Sequence, residues 1–312
     1  MQSLAANVLE AIGDTPMVQL RSVVPAGAAR VLAKLESANP TGSMKDRMAE
    51  AIVRCAESDG RLTRGSTVVE YTAGTTGVSL ALVCAAKGYA LHIVFSDAFT
   101  EEKRRMMLAF GAQITDVPSD NGQITAALIK KMIETAGEVS RKPDHWWADQ
   151  LNIHDAISGY YPLGDEIWMQ TEGRVDAFVH AVGTAHSIHG VAQSLRARGG
   201  TVHVVAVEPA ESAVLSGHLT GSHKIEGIGI GFVPPLWDPS QVDEILTVST
   251  EDAKAMARRL AREEGIFAGT SSGANVVASL RVAQRLGPGA TVVTIMVDSG
   301  LRYLSTDVYA PA

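Results

Sequence analysis

The pattern of apolar and polar residues alternates along this chain between short β-rich runs and longer stretches with apolar residues every three or four positions. The short runs predict strands at residues 31–35, 67–71, 91–95, 113–117, 177–182, 202–207 and 292–297. The longer stretches predict helices at residues 5–12, 76–87, 101–110, 124–135, 153–169, 187–198, 253–264 and 275–285. Strands that alternate with helices of this length indicate parallel sheets covered on both faces, so the predicted fold class is α/β.

Composition narrows the class of protein. A chain of 312 residues is long enough for two modest domains or one large one. The net charge of −7 argues against a nucleic-acid-binding surface, which would be basic. No apolar run reaches the length needed to cross a membrane, and the first 14 residues contain no Lys or Arg, unlike a signal or transit peptide.

The two cysteines, Cys55 and Cys84, fall on apolar positions of predicted helices. This placement favours buried free thiols over a disulfide or a metal site. Together with the absence of a targeting signal, it predicts a protein of the reducing cytoplasm.

The segment NPTGSMKDR at residues 39–47 carries the strongest chemical signal. Its first four residues are typical of a turn, and Ser43 with Asp46 three positions later nearly matches a capping box. Lys45 therefore falls in the first turn of a helix whose apolar side holds Met44, Met48, Ala51, Ile52 and Cys55. The positive end of the helix dipole disfavours an ammonium there, and a lysine that loses its proton easily suits Schiff-base chemistry. A solvated surface lysine is the more frequent explanation for such a position.

Three further segments rich in glycine and hydroxyl side chains each open a predicted helix. They are TAGTTG at residues 72–77, GTAHS at residues 183–187 and GTSSGA at residues 269–274. Such turns present backbone N–H groups and bind anions. Considered alone, an ordinary turn explains residues 72–77 equally well, and a plain N-cap is sufficient to explain residues 269–274. The G-x-G-x-x-G spacing of a dinucleotide site is absent, which argues against NAD.

In their order and spacing these segments resemble the cysteine synthase (O-acetylserine sulfhydrylase) and cystathionine β-synthase family of pyridoxal 5′-phosphate (PLP) enzymes. The resemblance extends from about residue 12 to residue 306 and includes VEP at 207–209, HKIEGIG at 223–229 and DSGLRYLST at 298–306. It implies the tryptophan synthase β-like fold, also called fold type II. It also implies a large PLP-binding domain of residues 1–46 and 149–312 and a small mobile substrate-binding domain of residues 47–148.

The resemblance gives individual residues a role. Lys45 would hold PLP as an internal aldimine and act as the catalytic base, Ser271 would hydrogen-bond the pyridine nitrogen, and Thr75 would approach the 3′ oxygen. The phosphate loop would comprise Gly183, Thr184, Ala185, His186 and Ser187. The substrate would be bound by Thr72, Ala73, Gly74, Thr76, Gln150 and Gly227, most of which would meet its α-carboxylate.

The sequence also departs from the family pattern. Ala73 and Thr75 stand where serine and asparagine are usual, and Ala185 and His186 where two glycines are usual. If either glycine position needs a positive φ, the phosphate loop must be reshaped, and His186 could add a hydrogen bond or a charge near the phosphate. His189 is expected to be a surface or packing residue, and the charges of residues 101–105 an ordinary solvated face.

The activity implied by the resemblance is β-replacement on a serine-type amino acid such as O-acetylserine, through an α-aminoacrylate, with sulfide or a thiol as the nucleophile. The alternative is a β-eliminating lyase such as a cysteine desulfhydrase, and a third hypothesis is a catalytically silent relative that binds PLP or a partner protein. A homodimer is the family expectation, and the binding of a serine acetyltransferase is left open. No metal, nucleic-acid or membrane partner is expected.

Overall fold

The computed structural model describes residues 4–310, which form ten strands in two sheets and nine α-helices. The strands are β1 (Met17–Leu20), β2 (Arg30–Leu35), β3 (Thr67–Tyr71), β4 (Ala90–Phe95), β5 (Gln113–Asp116), β6 (His145–Trp147), β7 (Ala177–Ala181), β8 (His203–Pro209), β9 (Glu244–Val248) and β10 (Thr291–Met296). The helices are α1 (Lys45–Ser58), α2 (Thr75–Lys87), α3 (Glu101–Ala109), α4 (Ala126–Ser140), α5 (Asp155–Ser158), α6 (Tyr161–Gln170), α7 (His186–Ala197), α8 (Thr250–Arg259) and α9 (Thr270–Leu286).

The larger sheet has the strand order β1-β2-β10-β7-β8-β9, and only the β1–β2 pair is antiparallel. Its central strands β7 and β10 are buried along their whole length, as expected for parallel strands covered on both faces. Apolar side chains of α8 and α9 pack on one face, and those of α6 and α7 pack on the other. The predicted α/β class is confirmed.

The smaller sheet has the order β5-β4-β3-β6 and is entirely parallel. It is formed by residues within 67–147, and helices α1 to α4 supply buried apolar side chains around it. One apolar cluster continues from this sheet to the α6–α7 face of the larger one. The two sheets therefore share part of their core.

Most predicted elements lie within a few residues of the observed ones, and the exceptions have physical causes. The helix predicted at residues 5–12 is wrong, because only one 3₁₀ turn, Val8–Ala11, forms there and it buries no residue. The helix predicted at 153–169 is divided into α5 and α6, with Pro162 in the first turn of α6, where its missing N–H costs nothing. Strands β6 and β9 were not predicted, and both are edge strands with partly buried side chains.

The two cysteines are free thiols. Cys84 is buried in α2, and burial raises the pKa of its thiol to about 12, whereas Cys55 in α1 is half-buried. No helix within residues 4–310 combines the length and apolar character required to span a bilayer.

Candidate active site

The turn before α1 involves Ser43 and Asp46, the two residues that the sequence predicts to form a capping box. Gly42 has a φ of +81°, and α1 begins at Lys45, whose N–H donates to Ser43 Oγ at 3.2 Å. The predicted capping box is wrong, because the carboxylate of Asp46 does not turn back to Ser43. It accepts instead from the N–H of Thr41 at 2.8 Å and from Ser79 Oγ at 2.6 Å. Asp46 therefore ties the turn to α2.

The end of β10 joins two of the predicted segments. The N–H of Met44 donates to the carbonyl of Val297 at 3.0 Å, and the N–H of Gly269 donates to the carbonyl of Asp298 at 3.2 Å. These bonds place the start of α1 and the start of α9 on opposite sides of one extended stretch. Lys45 and the segment containing Ser271 are thereby brought together although they are far apart in sequence.

Lys45 lies in the wall of a cavity of about 310 Å³. Burial lowers the pKa of its ammonium to about 8, and the negative charge of Asp298 opposes this effect only in part. The amine therefore gives up its proton far more readily than an exposed lysine does. Lys45 thus loses its proton easily, as the sequence predicts, and burial is the main cause of its lowered pKa.

The cavity brings together most of the residues singled out in the sequence. Its walls contain Lys45, Thr72, Ala73, Thr75, Thr76, Gln150, Gly183, Thr184 and Gly227. The remaining candidates belong to the same segments but do not line the cavity within the described part of the chain: Gly74, Ala185, His186, Ser187 and Ser271. The 72–77 and 183–187 segments thus face a common space with Lys45.

The start of α2 is shaped by Thr72 and Gly74. Thr72 Oγ1 accepts from the N–H groups of Gly74 at 2.9 Å and Gly77 at 3.3 Å, so its hydroxyl caps the helix. Gly74 has a φ of +116°, and a Cβ there would overlap the side chain of Lys103. This position therefore requires glycine, both for its backbone conformation and for space.

Gln150 lies beside this helix start, as the resemblance suggested. Its Oε1 accepts from Thr76 Oγ1 at 2.8 Å, and its Nε2 donates to the carbonyl of Tyr71 at 2.8 Å. Its backbone N–H donates to Glu70 Oε2 at 2.9 Å. These bonds fix a buried amide in the cavity wall next to the N-terminus of α2, where an anionic group would be favoured.

The segment at residues 183–187 has a backbone conformation at Ala185 that normally favours glycine. Ala185 has a φ of +73°, so alanine adopts the left-handed conformation there, at a cost of ~1–2 kcal/mol. Gly183 is required by packing, because a Cβ there would lie 2.5 Å from the carbonyl oxygen of Gly227. The following helix, α7, begins at His186 and directs its N-terminus to this loop.

The two histidines at the start of α7 behave differently. His186 is buried, and its Nδ1 lies 2.8 Å from Thr184 Oγ1. Burial and then the charge of Lys45 lower the pKa of His186 to about 3, so it contributes a hydrogen bond and no charge. His189 is a packing residue, one of the two roles predicted for it, and its ring stacks on Trp237 with centroids 5.7 Å apart.

Two adjacent serines at the start of α9, Ser271 and Ser272, make different contacts. Ser272 Oγ accepts from the N–H of Val297 at 2.9 Å and so helps to fix the helix against β10. Ser271 is 2% exposed and takes no part in that bond. Ser272 therefore has a structural role that Ser271 does not share, and a ligand role for Ser271 stays a prediction.

Lys103 and Glu226 line the cavity, although the sequence gave neither of them an individual role. They form an ion pair in the wall, and Lys103 Nζ lies 4.6 Å from the ring centroid of Tyr303. The expectation of a solvated face at residues 101–105 is wrong for Lys103, whose side chain is 1% exposed. The sequence around Lys103 does not predict that this side chain is buried, because its burial depends on Glu226, which lies in a loop more than one hundred residues later.

The residues around the cavity fit PLP. They include a readily deprotonated lysine amine, a helix N-terminus with threonine and serine hydroxyls suited to a phosphate, and the Ser271 hydroxyl. Within residues 4–310 no cluster of three or more His, Cys, Asp or Glu side chains could hold a metal ion.

Comparisons with known proteins agree with this fit. Residues 8–298 match the model of the family described as pyridoxal-phosphate dependent enzyme. The chain is 39% identical to a cysteine synthase of Staphylococcus aureus strain Mu50 over 311 residues, 97% of each chain.

Two solved structures show the same fold. O-acetylserine sulfhydrylase isoform 3 of Entamoeba histolytica is 39% identical, with a TM-score of 0.92, over 100% of this chain and 93% of the other. O-ureido-L-serine synthase is 36% identical, also with a TM-score of 0.92, over 98% of this chain and 96% of the other. Given these similarities and the deprotonatable Lys45 in its cavity, the chain belongs to the family of pyridoxal-phosphate dependent enzymes with the tryptophan synthase β-like fold.

Proposed function

We propose that this PLP-dependent enzyme catalyses β-replacement, exchanging the β-substituent of a serine-type amino acid such as O-acetylserine for sulfide or a thiol. The observation that carries the proposal is the position of Lys45, whose weakly basic amine shares one cavity with the 72–77 and 183–187 segments. The similarity to cysteine synthase and to O-acetylserine sulfhydrylase supports the reaction class. Bound PLP supplies an aldehyde for attachment to Lys45 and an electron sink for charge at the substrate α-carbon.

Lys45 has two roles in this proposal. It holds the cofactor between turnovers, and once released it takes the α-proton of the substrate as a general base. A pKa near 8 suits both roles, because roughly a tenth of the amine is unprotonated at pH 7, compared with well under a thousandth at the ordinary value of 10.5.

The substrate carboxylate is proposed to bind at the start of α2, where unpaired backbone N–H groups and the helix dipole favour an anion. Thr72, Ala73, Gly74 and Thr76 form this site, and Gln150 borders it through its bond to Thr76. Since Thr72 already uses its oxygen to cap α2, its contribution is to shape the turn.

The cofactor is proposed to be held at its phosphate by residues 183–187, at the 3′ oxygen by Thr75 and at the ring nitrogen by Ser271. A serine hydroxyl does not keep the ring nitrogen protonated as an aspartate would. The ring is then a weaker electron sink, which favours loss of a β-substituent over deeper carbanion chemistry.

Residues 47–148 are proposed to form the small domain that closes on the substrate. Contacts that join its helix α3 to the rest of the chain include the ion pair of Lys103 with Glu226 and the bond from Ser305 Oγ to Glu102 at 2.6 Å. Amide hydrogen exchange with and without O-acetylserine tests this idea. Slower exchange in α3 on substrate binding is expected, and unchanged exchange throughout 47–148 contradicts it.

Overall similarity does not identify the nucleophile, because an O-acetylserine sulfhydrylase and an O-ureido-L-serine synthase resemble this chain almost equally, at 39% and 36% identity. Sulfide is proposed as the simplest nucleophile. The partners are thus an amino-acid substrate and a sulfide or thiol. A homodimer and a cytoplasmic location stay predictions, and light scattering of the purified protein tests the first.

A spectral titration tests the proposed reaction. O-acetylserine, serine, O-phosphoserine and cysteine are added separately to the holoenzyme, and the cofactor absorbance is followed before and after sulfide is added. A change with O-acetylserine that sulfide reverses, with cysteine as product, supports β-replacement. Pyruvate formed from cysteine without a second substrate would instead establish the eliminating lyase, and no spectral change with any of the four would establish a silent relative.

A further inference from the structure

A buried chain of hydrogen bonds leads from α9 to the 183–187 segment. His180 Nε2 lies 2.8 Å from Ser187 Oγ, and His180 Nδ1 lies 3.3 Å from Asn275 Nδ2. All three side chains are at least nine-tenths buried. Neither His180 nor Asn275 lines the cavity, and the proposed reaction gives neither a role.

The orientation of the Asn275 amide is fixed by two backbone groups, an N–H that can only donate and a carbonyl that can only accept. Its Oδ1 accepts from the N–H of Ala181 at 2.7 Å, and its Nδ2 donates to the carbonyl of Ile295 at 2.8 Å. Exchanging the amide oxygen and nitrogen would place two donors together and two acceptors together. The group facing His180 is therefore a donor.

The donor on Asn275 determines which nitrogen of His180 carries the proton. Burial, followed by the charge of Lys45, lowers the pKa of His180 to about 3, so the ring is neutral near pH 7. A neutral ring with Nδ1 accepting from Asn275 has its proton on Nε2. Nε2–H then donates to Ser187 Oγ, so the Ser187 hydroxyl can donate its own proton to another acceptor.

We propose that His180 and Asn275 are positioning residues that turn the Ser187 hydroxyl into a donor for the cofactor phosphate. This inference rests on the proposed function, in which residues 183–187 hold that phosphate. With the opposite tautomer, the Ser187 hydroxyl would donate its proton to His180 Nε2, and only its oxygen lone pairs would face the phosphate. His186 and Thr184 form a similar pair, but no side-chain amide fixes the tautomer of His186 as Asn275 does for His180.

The tautomer of His180 is the first test, made on the unmodified protein. Nitrogen-15 chemical shifts of the His180 ring, assigned by comparison with the His180→Leu variant, distinguish protonated from unprotonated ring nitrogens. A proton on Nε2 and none on Nδ1 is expected. A proton on Nδ1 overturns the inference.

The second test measures phosphate binding without the covalent bond to Lys45. Apoenzyme is titrated with pyridoxamine 5′-phosphate, which carries the phosphate but no aldehyde, and with pyridoxamine, which lacks both. In His180→Leu the Kd for pyridoxamine 5′-phosphate should rise on the order of tenfold, the size expected for one hydrogen bond to a charged group. The Kd for pyridoxamine should not change.

A matched control is available in the smaller sheet. His92 is also buried, and its Nε2 lies 2.8 Å from Thr115 Oγ1, so His92→Leu removes an equivalent bond away from the cavity. It should leave both Kd values unchanged. If His92→Leu weakens pyridoxamine 5′-phosphate binding as much as His180→Leu does, the effect is a general loss of stability and the inference is wrong.

A double variant separates this inference from the function on which it rests. If His180 acts through Ser187, then Ser187→Ala and the double variant with His180→Leu should weaken binding equally. A loss in Ser187→Ala without one in His180→Leu overturns the role of His180 while the phosphate loop stands. No loss in either variant contradicts the proposed phosphate loop itself.

Discussion

The N–H of Met44 donates to the carbonyl of Val297 at 3.0 Å, directly beyond the end of β10. This bond holds the residue before Lys45 at the carboxyl end of the larger sheet. The 183–187 loop follows β7, which runs parallel to β10, so the loop also leaves the sheet at the carboxyl ends of its strands. Ligands of open α/β sheets bind beyond these ends, and the cavity of this protein lies there too.

Attachment of the cofactor should depend on pH through Lys45. Its pKa is lowered to about 8, so the amine is protonated and unreactive well below pH 8 and free above it. The rate at which apoenzyme bonds PLP, followed by absorbance, should rise through about pH 8 and then level off. A rate that keeps rising towards pH 10.5, the value for an exposed lysine, would show that the cavity does not lower this pKa.

Arg47 should be essential for stability, because it neutralises two buried carboxylates. Its guanidinium binds Glu36 Oε2 at 2.7 Å and Glu166 Oε1 at 2.7 Å. In Arg47→Met both carboxylates lose this partner, and the free energy of unfolding in urea should fall by about 3–5 kcal/mol. The exposed pair of Arg54 with Glu50 provides the control, since Arg54→Met should cost less than about 1 kcal/mol. Equal losses in the two variants would contradict this role.

The same cluster predicts how the protein responds to acid. Burial alone would raise the pKa of Glu166, but its bonds to Arg47 and Lys34 lower it to about 2 from 4.5. The stability that this carboxylate contributes is therefore present above pH 4.5 and is lost as the pH falls from 4.5 towards 2. Denaturation series between pH 6 and 2.5 should show this loss in the natural protein, and Glu166→Gln should show a weaker dependence.

Replacing Ala185 by glycine should stabilise the protein. The left-handed backbone at Ala185, with φ at +73°, costs an alanine ~1–2 kcal/mol, and glycine adopts it freely. Part of the gain is offset by the greater freedom of glycine in the unfolded chain, so about 1 kcal/mol is expected in urea denaturation. Ala192→Gly, in the regular part of α7, should instead lose stability. A loss in Ala185→Gly would show that the loop is not strained.

Adding a methyl group at Gly183 should weaken cofactor binding. A Cβ there would lie 2.5 Å from the carbonyl oxygen of Gly227, so the loop and the 223–231 segment would have to separate. Overpacking typically costs about 1–3 kcal/mol, so the Kd of Gly183→Ala apoenzyme for pyridoxamine 5′-phosphate should rise by roughly fivefold to a hundredfold. Gly137→Ala is the control, because its Cβ would meet Trp147 at an ordinary 3.5 Å. An unchanged Kd in Gly183→Ala would contradict the close packing.

The central strands and most helices were predictable because their side chains are buried on regular faces. β2 and β10 are rich in aliphatic residues and almost entirely buried, which favours strands in the core. β6 and β9 were not predictable in the same way, since each pairs with one neighbour and depends on it for its extended shape. The role of Asp46 was also missed, because its partner Ser79 belongs to another helix.

The candidate site was predictable where local turn chemistry and family resemblance coincide, as they do for Lys45 and the 72–77 and 183–187 segments. Contacts between distant segments were not. Lys103 is a cavity residue only because Glu226 meets it, and His180 matters only because Asn275 and Ser187 lie on either side of it. Single residues of this kind carry no periodic signal in the sequence.

The most direct measurement of the central claim is to find which lysine bears the cofactor. Holoenzyme is treated with borohydride, which makes the bond permanent, and its peptides are mapped by mass spectrometry. The added mass is expected on Lys45, and Lys45→Ala should carry none, whereas Lys103→Met and Lys224→Met, which remove two further lysines of the cavity wall, should still be labelled. Label on any other lysine, with Lys45 unmodified, would contradict this account.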